Sequence, residues 1–145
     1  MNSCSNENRV RKYRIGEVYM MQFDGDGSEQ RGWRPGIVFQ NNLGNKFSPT
    51  IIALPLTTII KKSSQPTHVL IKASKGGLRK DSMVLCENLR CLHKDKVGCY
   101  VTTLSDTTMC EVAKASMVAT GALSFISLDV LLRLRNFVAQ VNVVM

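Results

Sequence analysis

The chain is short of metal ligands. It has only two histidines, His68 and His93, and its five cysteines, Cys4, Cys86, Cys91, Cys99 and Cys110, include no C-x-x-C pair. A zinc site draws its ligands from Cys and His at close, recurring spacing, so this composition argues against one. An odd, scattered set of cysteines argues equally against a disulfide framework. Long apolar runs are missing too. The N-terminal stretch MNSCSNENRVRKYR lacks the apolar core of a secretory signal, and the C-terminal apolar stretch is broken by Asp129, Arg133 and Arg135. The expectation is a soluble, cytoplasmic protein with reduced thiols and no membrane partner. Acidic residues are also scarce, with eleven Asp and Glu against nineteen Lys and Arg, a formal charge of +8. The isoelectric point near 9.5 favours a polyanionic or acidic partner over a neutral one. The surplus is concentrated in the middle of the chain, at Lys61, Lys62, Lys72, Lys75, Arg79, Lys80, Arg90, Lys94 and Lys96 against Asp81, Glu87 and Asp95. A set of solvated loop lysines has the same composition, so charge alone names no partner.

What is present suffices for one globular domain: 145 residues, of which 44% are hydrophobic. Residues 1–13 read as a loose basic leader, and the fold begins near Arg14. Val18 to Phe23 alternates apolar and polar residues and predicts a strand; DGDGSEQRGW then carries turn chemistry and predicts a mobile loop leading into Arg34. Gly36 to Gln40 and Thr50 to Leu56 are apolar runs rich in β-branched residues, separated by the turn-forming NNLGNKFSP, and predict adjacent buried strands. Val69 to Ile71 and Met83 to Cys86 add two strands, Leu89 to Leu92 and Tyr100 to Thr102 two weaker ones, and Gly76-Gly77 a turn. Short strands at this spacing predict a small barrel or a strongly curved antiparallel sheet. After Leu104 the period becomes helical: Ser105 caps one predicted helix and Ser127 a second, which carries Leu128, Leu131, Leu132 and Val138.

The candidate chemistry lies at strand ends. RNA brings its own nucleophile, the 2′-hydroxyl, so cutting it by internal transesterification needs a base, an acid and a cation against the phosphorane, without any metal. Arg34 suits the cationic role because its donor fork matches two phosphate oxygens, and Pro35 holds it in extended backbone. A surface arginine before an edge strand would look the same. Thr57 can donate its hydroxyl to a non-bridging oxygen, and Thr58 sits beside it on the opposite face. Glu87 is a candidate base if partial desolvation raises its pKa, the alternative being an ion pair with Arg90. Trp33, the only tryptophan, stands in a polar loop as a base-stacking platform or as packing onto the barrel. His68 and His93 are left outside the chemistry.

Six segments in order, RIGEVY, GSEQRGWRP, IVFQNN, FSPTIIALPLT, PTHV and DSMVLCENLR, resemble the MazF/PemK family of toxin endoribonucleases from Arg14 to about Ser124. The resemblance implies a mainly β protein with α, a small SH3-like (MazF/PemK/CcdB-type) β-barrel with C-terminal helices, assembled as a homodimer with its RNA groove across the dimer interface. It implies an mRNA interferase: a metal-independent endoribonuclease, without cofactors, that cuts single-stranded RNA at a short sequence and leaves a 2′,3′-cyclic phosphate and a 5′-hydroxyl. An antitoxin whose acidic, disordered tail fills the groove is the expected regulator, in keeping with the basic surplus. The implied catalytic residues are Arg34, Thr57 and, as second-choice base, Glu87; the implied RNA contacts are Trp33, Thr58, Gln65, Ser82 and Asn88. Arg34 is expected mainly to neutralise the phosphorane, because a guanidinium holds its proton too tightly to act as a base.

Two departures from the pattern matter. Trp33 stands where some members carry a histidine, which favours stacking over histidine-assisted proton transfer, and Asn88 stands where glutamine is frequent. Because those positions, with Ser64 and Gln65 in a variable loop, touch bases in relatives, the cleavage sequence does not carry over. The domain is set at 14–126, followed by a helical extension, 127–145, expected to cover the barrel, extend a dimer contact or dock a partner. The alternatives are a non-catalytic toxin of the same fold that binds a protein target, as CcdB-like gyrase poisons do, and an RNA-binding module whose nuclease has decayed.

Overall fold

Strands covered on both faces carry continuous apolar runs, and the run TIIALPLT is continuous because it lies between two cores. The computed structural model describes residues 12–24, 32–60 and 65–144. Residues 1–11 of the expected leader and most of the expected loop before Arg34, with Lys61, Lys62 and Ser64, lie outside the described residues. Seven strands, β1 (Glu17–Phe23), β2 (Gly32–Val38), β3 (Thr50–Thr57), β4 (His68–Ile71), β5 (Ser82–Leu85), β6 (Arg90–His93) and β7 (Val97–Thr103), form one antiparallel sheet in the order β4-β5-β3-β2-β1-β7, with β6 also paired to β3. Four helices join them: α1 (Asn42–Phe47), α2 (Ala73–Gly76), α3 (Asp106–Thr120) and α4 (Leu128–Val144). β3 changes partner along its length, since Thr50 to Ala53 pair with β6 while Leu56 and Thr57 pair with β5. The sheet therefore curls over β3 into the barrel-like, mixed β/α fold that the sequence predicts.

One core lies between the sheet and α3, where Val18, Ile37, Leu54, Leu56 and Val84 meet Val112 and Ala115. The other fills the opposite face, with Tyr19, Met21, Phe23, Val38, Ile51 and Ala53. Complete burial of each aliphatic side chain contributes about 1.5–3 kcal/mol, so both faces of β1 to β3 are fixed by burial. β1 and β2 approach closely at Gly36, where an added Cβ would come within 2.7 Å of Met21 Sδ and 2.8 Å of Phe23 Cζ. Ser105 caps α3 by accepting from the Thr108 N–H at 3.2 Å.

The structure departs from the sequence reading in four places. NNLGNKFSP is not a turn: Asn41 accepts from the Gly44 N–H at 2.9 Å and starts α1, and the buried Asn45 donates to the Gln40 carbonyl at 2.9 Å. β2 begins at Gly32, so Trp33 is a strand residue paired with Gln22 and not a loop residue. Cys99 is disulfide-bonded, against the expectation of reduced thiols. The fourth departure concerns α4, which starts with Ser127 accepting from the Val130 N–H at 3.3 Å. It touches α1 but does not cover the barrel, because from Leu128 to Gln140 every residue except Leu131 is exposed. Among the described residues no helix is long and apolar enough to cross a membrane.

Candidate active site

Strand pairing builds the site. The β2–β3 ladder pairs Gly36 with Pro55, Ile37 with Leu54 and Val38 with Ala53. Continued two residues beyond its last pair, this register sets Arg34 opposite Thr57. Side chains alternate along a strand, so Arg34 shares a face with Gly36, and Thr57 with Pro55. That is the face of Met21, which pairs with Arg34 across β1 and β2. The arginine and the threonine thus belong to one face at one end of the sheet, although 23 positions separate them in the chain.

Each side chain is shaped for an anion. Arg34 is half-buried, with its Nε enclosed, which restricts the planar fork to few orientations. Thr57 is buried at 9% exposure, and its Oγ1 accepts from the Ile59 N–H at 3.1 Å. A hydroxyl that accepts from the backbone keeps its own proton for donation, so Thr57 is a fixed donor beside a cation. Such a pair can hold two oxygens of a phosphate.

The remaining predicted residues divide into two groups. Trp33, Thr58 and Ser82 lie at the same end of the sheet but on the α3-side face. Trp33 is 53% exposed and its indole rests on Gly98, where an added Cβ would stand 3.0 Å from Cζ3. Thr58 and Ser82 line a cleft. Gln65, Glu87 and Asn88 gather at the far end of β4 and β5, where the Cys86 N–H donates to the Thr67 carbonyl at 3.0 Å. Thr57 pairs with Met83, and Glu87 lies four residues further along, past the end of β5 in the 3-10 turn Cys86–Asn88. One protomer does not bring it to the Arg34–Thr57 corner.

Glu87 is held by a residue that the sequence reading set aside. His68 Nε2 lies 2.9 Å from Glu87 Oε1, so the carboxylate's partner is His68, where the sequence reading weighed Arg90. Burial pushes the Glu87 carboxyl upward, but the backbone and His68 hydrogen bonds outweigh it and leave the pKa below its ordinary value. This is the reverse of the shift a general base requires. The His68–Glu87 contact joins the start of β4 to the turn after β5, two positions 19 residues apart that the β4–β5 pairing brings together. Among the described residues no cluster of three or more His, Cys, Asp or Glu could hold a metal.

Comparison with known proteins extends this geometry. Residues 14–118 match the family described as PemK-like, MazF-like toxin of type II toxin-antitoxin system. The chain is 44% identical over 109 residues to the endoribonuclease MazF of Staphylococcus saprophyticus, covering 74% of this chain and 91% of that protein. It resembles a mycobacterial endoribonuclease solved in complex with its cognate antitoxin, with a TM-score of 0.61 at 26% identity over 75% of this chain and 95% of the other. The fold is also that of MazF from Deinococcus radiodurans, with a TM-score of 0.65 at 21% identity over 77% and 98% of the two chains. The chain belongs to the PemK-like, MazF-like toxin family of type II toxin–antitoxin systems.

Proposed function

We propose that this chain is a toxin endoribonuclease that cuts single-stranded RNA at a short sequence without a metal ion. The observation that carries the reading is the β2–β3 register, which, continued two residues past the Gly36–Pro55 pair, sets Arg34 opposite Thr57 on one face of the sheet, in a chain 44% identical to an endoribonuclease. The 2′-oxygen attacks the adjacent phosphorus while the bond to the 5′-oxygen breaks. The 2′-hydroxyl proton ends, in net balance, on that 5′-oxygen, which leaves a 2′,3′-cyclic phosphate and a 5′-hydroxyl. Arg34 neutralises the charge that builds on the phosphorane, and Thr57 donates to a non-bridging oxygen. Glu87 is the weaker candidate for base, given its distance from the corner and its lowered pKa. Trp33, Thr58, Gln65, Ser82 and Asn88 are proposed RNA contacts, a homodimer the proposed assembly, and an antitoxin with an acidic tail the proposed inhibitor.

The test is cleavage of a long single-stranded RNA in EDTA by wild type, Arg34→Ala and the near-isosteric Thr57→Val, with the ends mapped. Discrete cuts with cyclic phosphate ends are expected from wild type, with rates about 10²–10³-fold lower on removal of either donor. No cleavage by folded, antitoxin-free wild type on varied RNA sequences would return the chain to the protein-binding toxins or the decayed modules.

A further inference from the structure

α1 is folded inside out. Its one buried residue is the polar Asn45, which donates to the Gln40 carbonyl and to Asn42 Oδ1. Leu43, 44% exposed, and Phe47, 71% exposed, stand four positions apart and share its outer face. α4 touches this helix and is just as open. Leu131, its only residue from Leu128 to Gln140 that is not exposed, marks the side turned toward the domain. Leu128 and Leu134 lie three positions from Leu131 and Val138 seven, on that same side, yet all three are exposed. α1 has six residues, about 9 Å at 1.5 Å per residue, so no part of it is far from the helix it touches. The two apolar faces form one surface, and a contiguous exposed apolar surface on a folded domain marks a docking face. Its cations are Lys46, whose Nζ lies 5.0 Å from the centroid of the Phe47 ring, and Arg135, four positions from Leu131. Neither belongs to an ion pair among the described residues. Asp129, the only acid in either helix, pairs with Arg133 at 2.8 Å, and both stand two positions from Leu131, on the opposite side of α4.

We propose that the α1–α4 surface docks an amphipathic helix of a partner protein, with the partner's apolar stripe laid along α4 against Phe47 and its acidic flanks meeting Lys46 and Arg135. Shape selects a helix, because apolar residues at three- and four-residue spacing present ridges into which the ridges of a second helix pack. α4, with 17 residues, is about 25 Å long and offers room for between four and five turns. Charge selects an acidic partner over a second copy of this chain. A two-fold contact sets the same patch against itself, which would bring Lys46 and Arg135 up to their own duplicates while the only acid faces away. The segment matched to the family ends at residue 118, so α4 and the surface it completes lie past the shared domain. The surface also lies beyond the end of β2 opposite to Arg34, and docking there is independent of the Arg34–Thr57 chemistry.

The probe is a fluorescent helical peptide of about five turns, with leucines at three- and four-residue spacing and glutamates on both flanks, titrated into the full chain and followed by anisotropy. A scrambled peptide of the same composition, with its leucines spread around the helix, is the control. The striped peptide is expected to bind about tenfold more tightly than the scrambled one. Phe47→Ser/Leu134→Ser and Lys46→Glu/Arg135→Glu are each expected to weaken its binding by about tenfold. All four side chains are exposed, so melting temperatures are expected to stay near that of wild type, and either pair decides the matter if the other fails to fold. Equal binding of the two peptides, or full affinity in the folded variants, overturns the proposal. Displacement of the peptide by a single-stranded oligonucleotide also overturns it, by placing the peptide on a nucleic-acid face. Self-association in sedimentation that Phe47→Ser/Leu134→Ser abolishes gives the surface to a second copy and overturns it as well. Binding and not cleavage is read throughout, so failure of the ribonuclease reading would leave each of these outcomes intact.

Discussion

Glu87 shows how one hydrogen bond sets both stability and chemistry. Its carboxylate is 2.9 Å from His68 Nε2 and its pKa is lowered from the ordinary 4.5, the hydrogen bonds outweighing burial. A carboxylate with a depressed folded pKa stabilises the fold above its unfolded value and loses that contribution as pH falls through the folded value. Thermal melts between neutral pH and pH 3 (about the acid end of the carboxylate range) are therefore expected to show a flatter acid decline for Glu87→Gln than for wild type. The same substitution is expected to leave RNA cleavage at neutral pH within about threefold, because a base contributes typically 10²-fold or more and Glu87 lies away from the corner. A hundredfold loss in Glu87→Gln would make it the base. Cys86, next to it, is a packing residue: burial pushes its thiol up, and it lies under α3 with its sulfur 3.8 Å from the Val112 carbonyl.

At the scale of elements, the corner depends on β1, β2 and β3 lying close enough to share one register. Gly36→Ala would drive a methyl group to within 3 Å of Met21 and Phe23, both of which are buried. Overpacking of this kind costs about 1–3 kcal/mol. Chemical denaturation is expected to show that loss, and cleavage is expected to fall further than stability alone explains, since Arg34 is two residues away on the same face. α4 behaves in the opposite way. Phe137 is 62% exposed and Leu128 72% exposed, so the helix adds little burial to the barrel. Truncation after Ser127 is expected to shift the melting temperature of the sheet by no more than a few degrees. A collapse in stability on truncation would show that α4 supports the fold despite its exposure.

Across the whole molecule the deciding quantity is charge. A surplus of +8 raises the local concentration of any polyanion, and this attraction is screened over about 8–10 Å at ordinary ionic strength. Some of the mid-chain cations are paired: Lys72 with Asp81 at 3.6 Å and Lys96 with Asp24 at 3.3 Å. Lys94 donates to the Asn45 carbonyl. Arg79 and Lys80 stand exposed side by side. Polyglutamate is expected to inhibit RNA cleavage competitively at low salt and to lose its effect as salt rises; inhibition that is indifferent to salt would show that charge does not drive the competition.

Most of the fold was legible in the chain. β2 and β3 announce themselves by apolar, β-branched runs, and α3 by Ser105 followed by helical spacing, because covering a strand or a helix face is a local demand on composition. α1 was not legible: Asn45 is buried by hydrogen bonds to the Gln40 carbonyl and Asn42 Oδ1, and a polar residue satisfied by its neighbours leaves no periodic trace. Trp33 was misplaced for a related reason, since Gly32 and Trp33 look like loop and extend β2 only through pairing with β1. The sequence by itself determined which faces are apolar, where the strands and long helices lie, and that Arg34 and Thr57 belong with the apolar strands around Gly36 and Thr50. Only the tertiary structure decided which of these groups meet. Register between strands is a non-local property, and it sets Arg34 opposite Thr57, binds Glu87 to His68, and places Thr58 and Ser82 around a cleft on the reverse face.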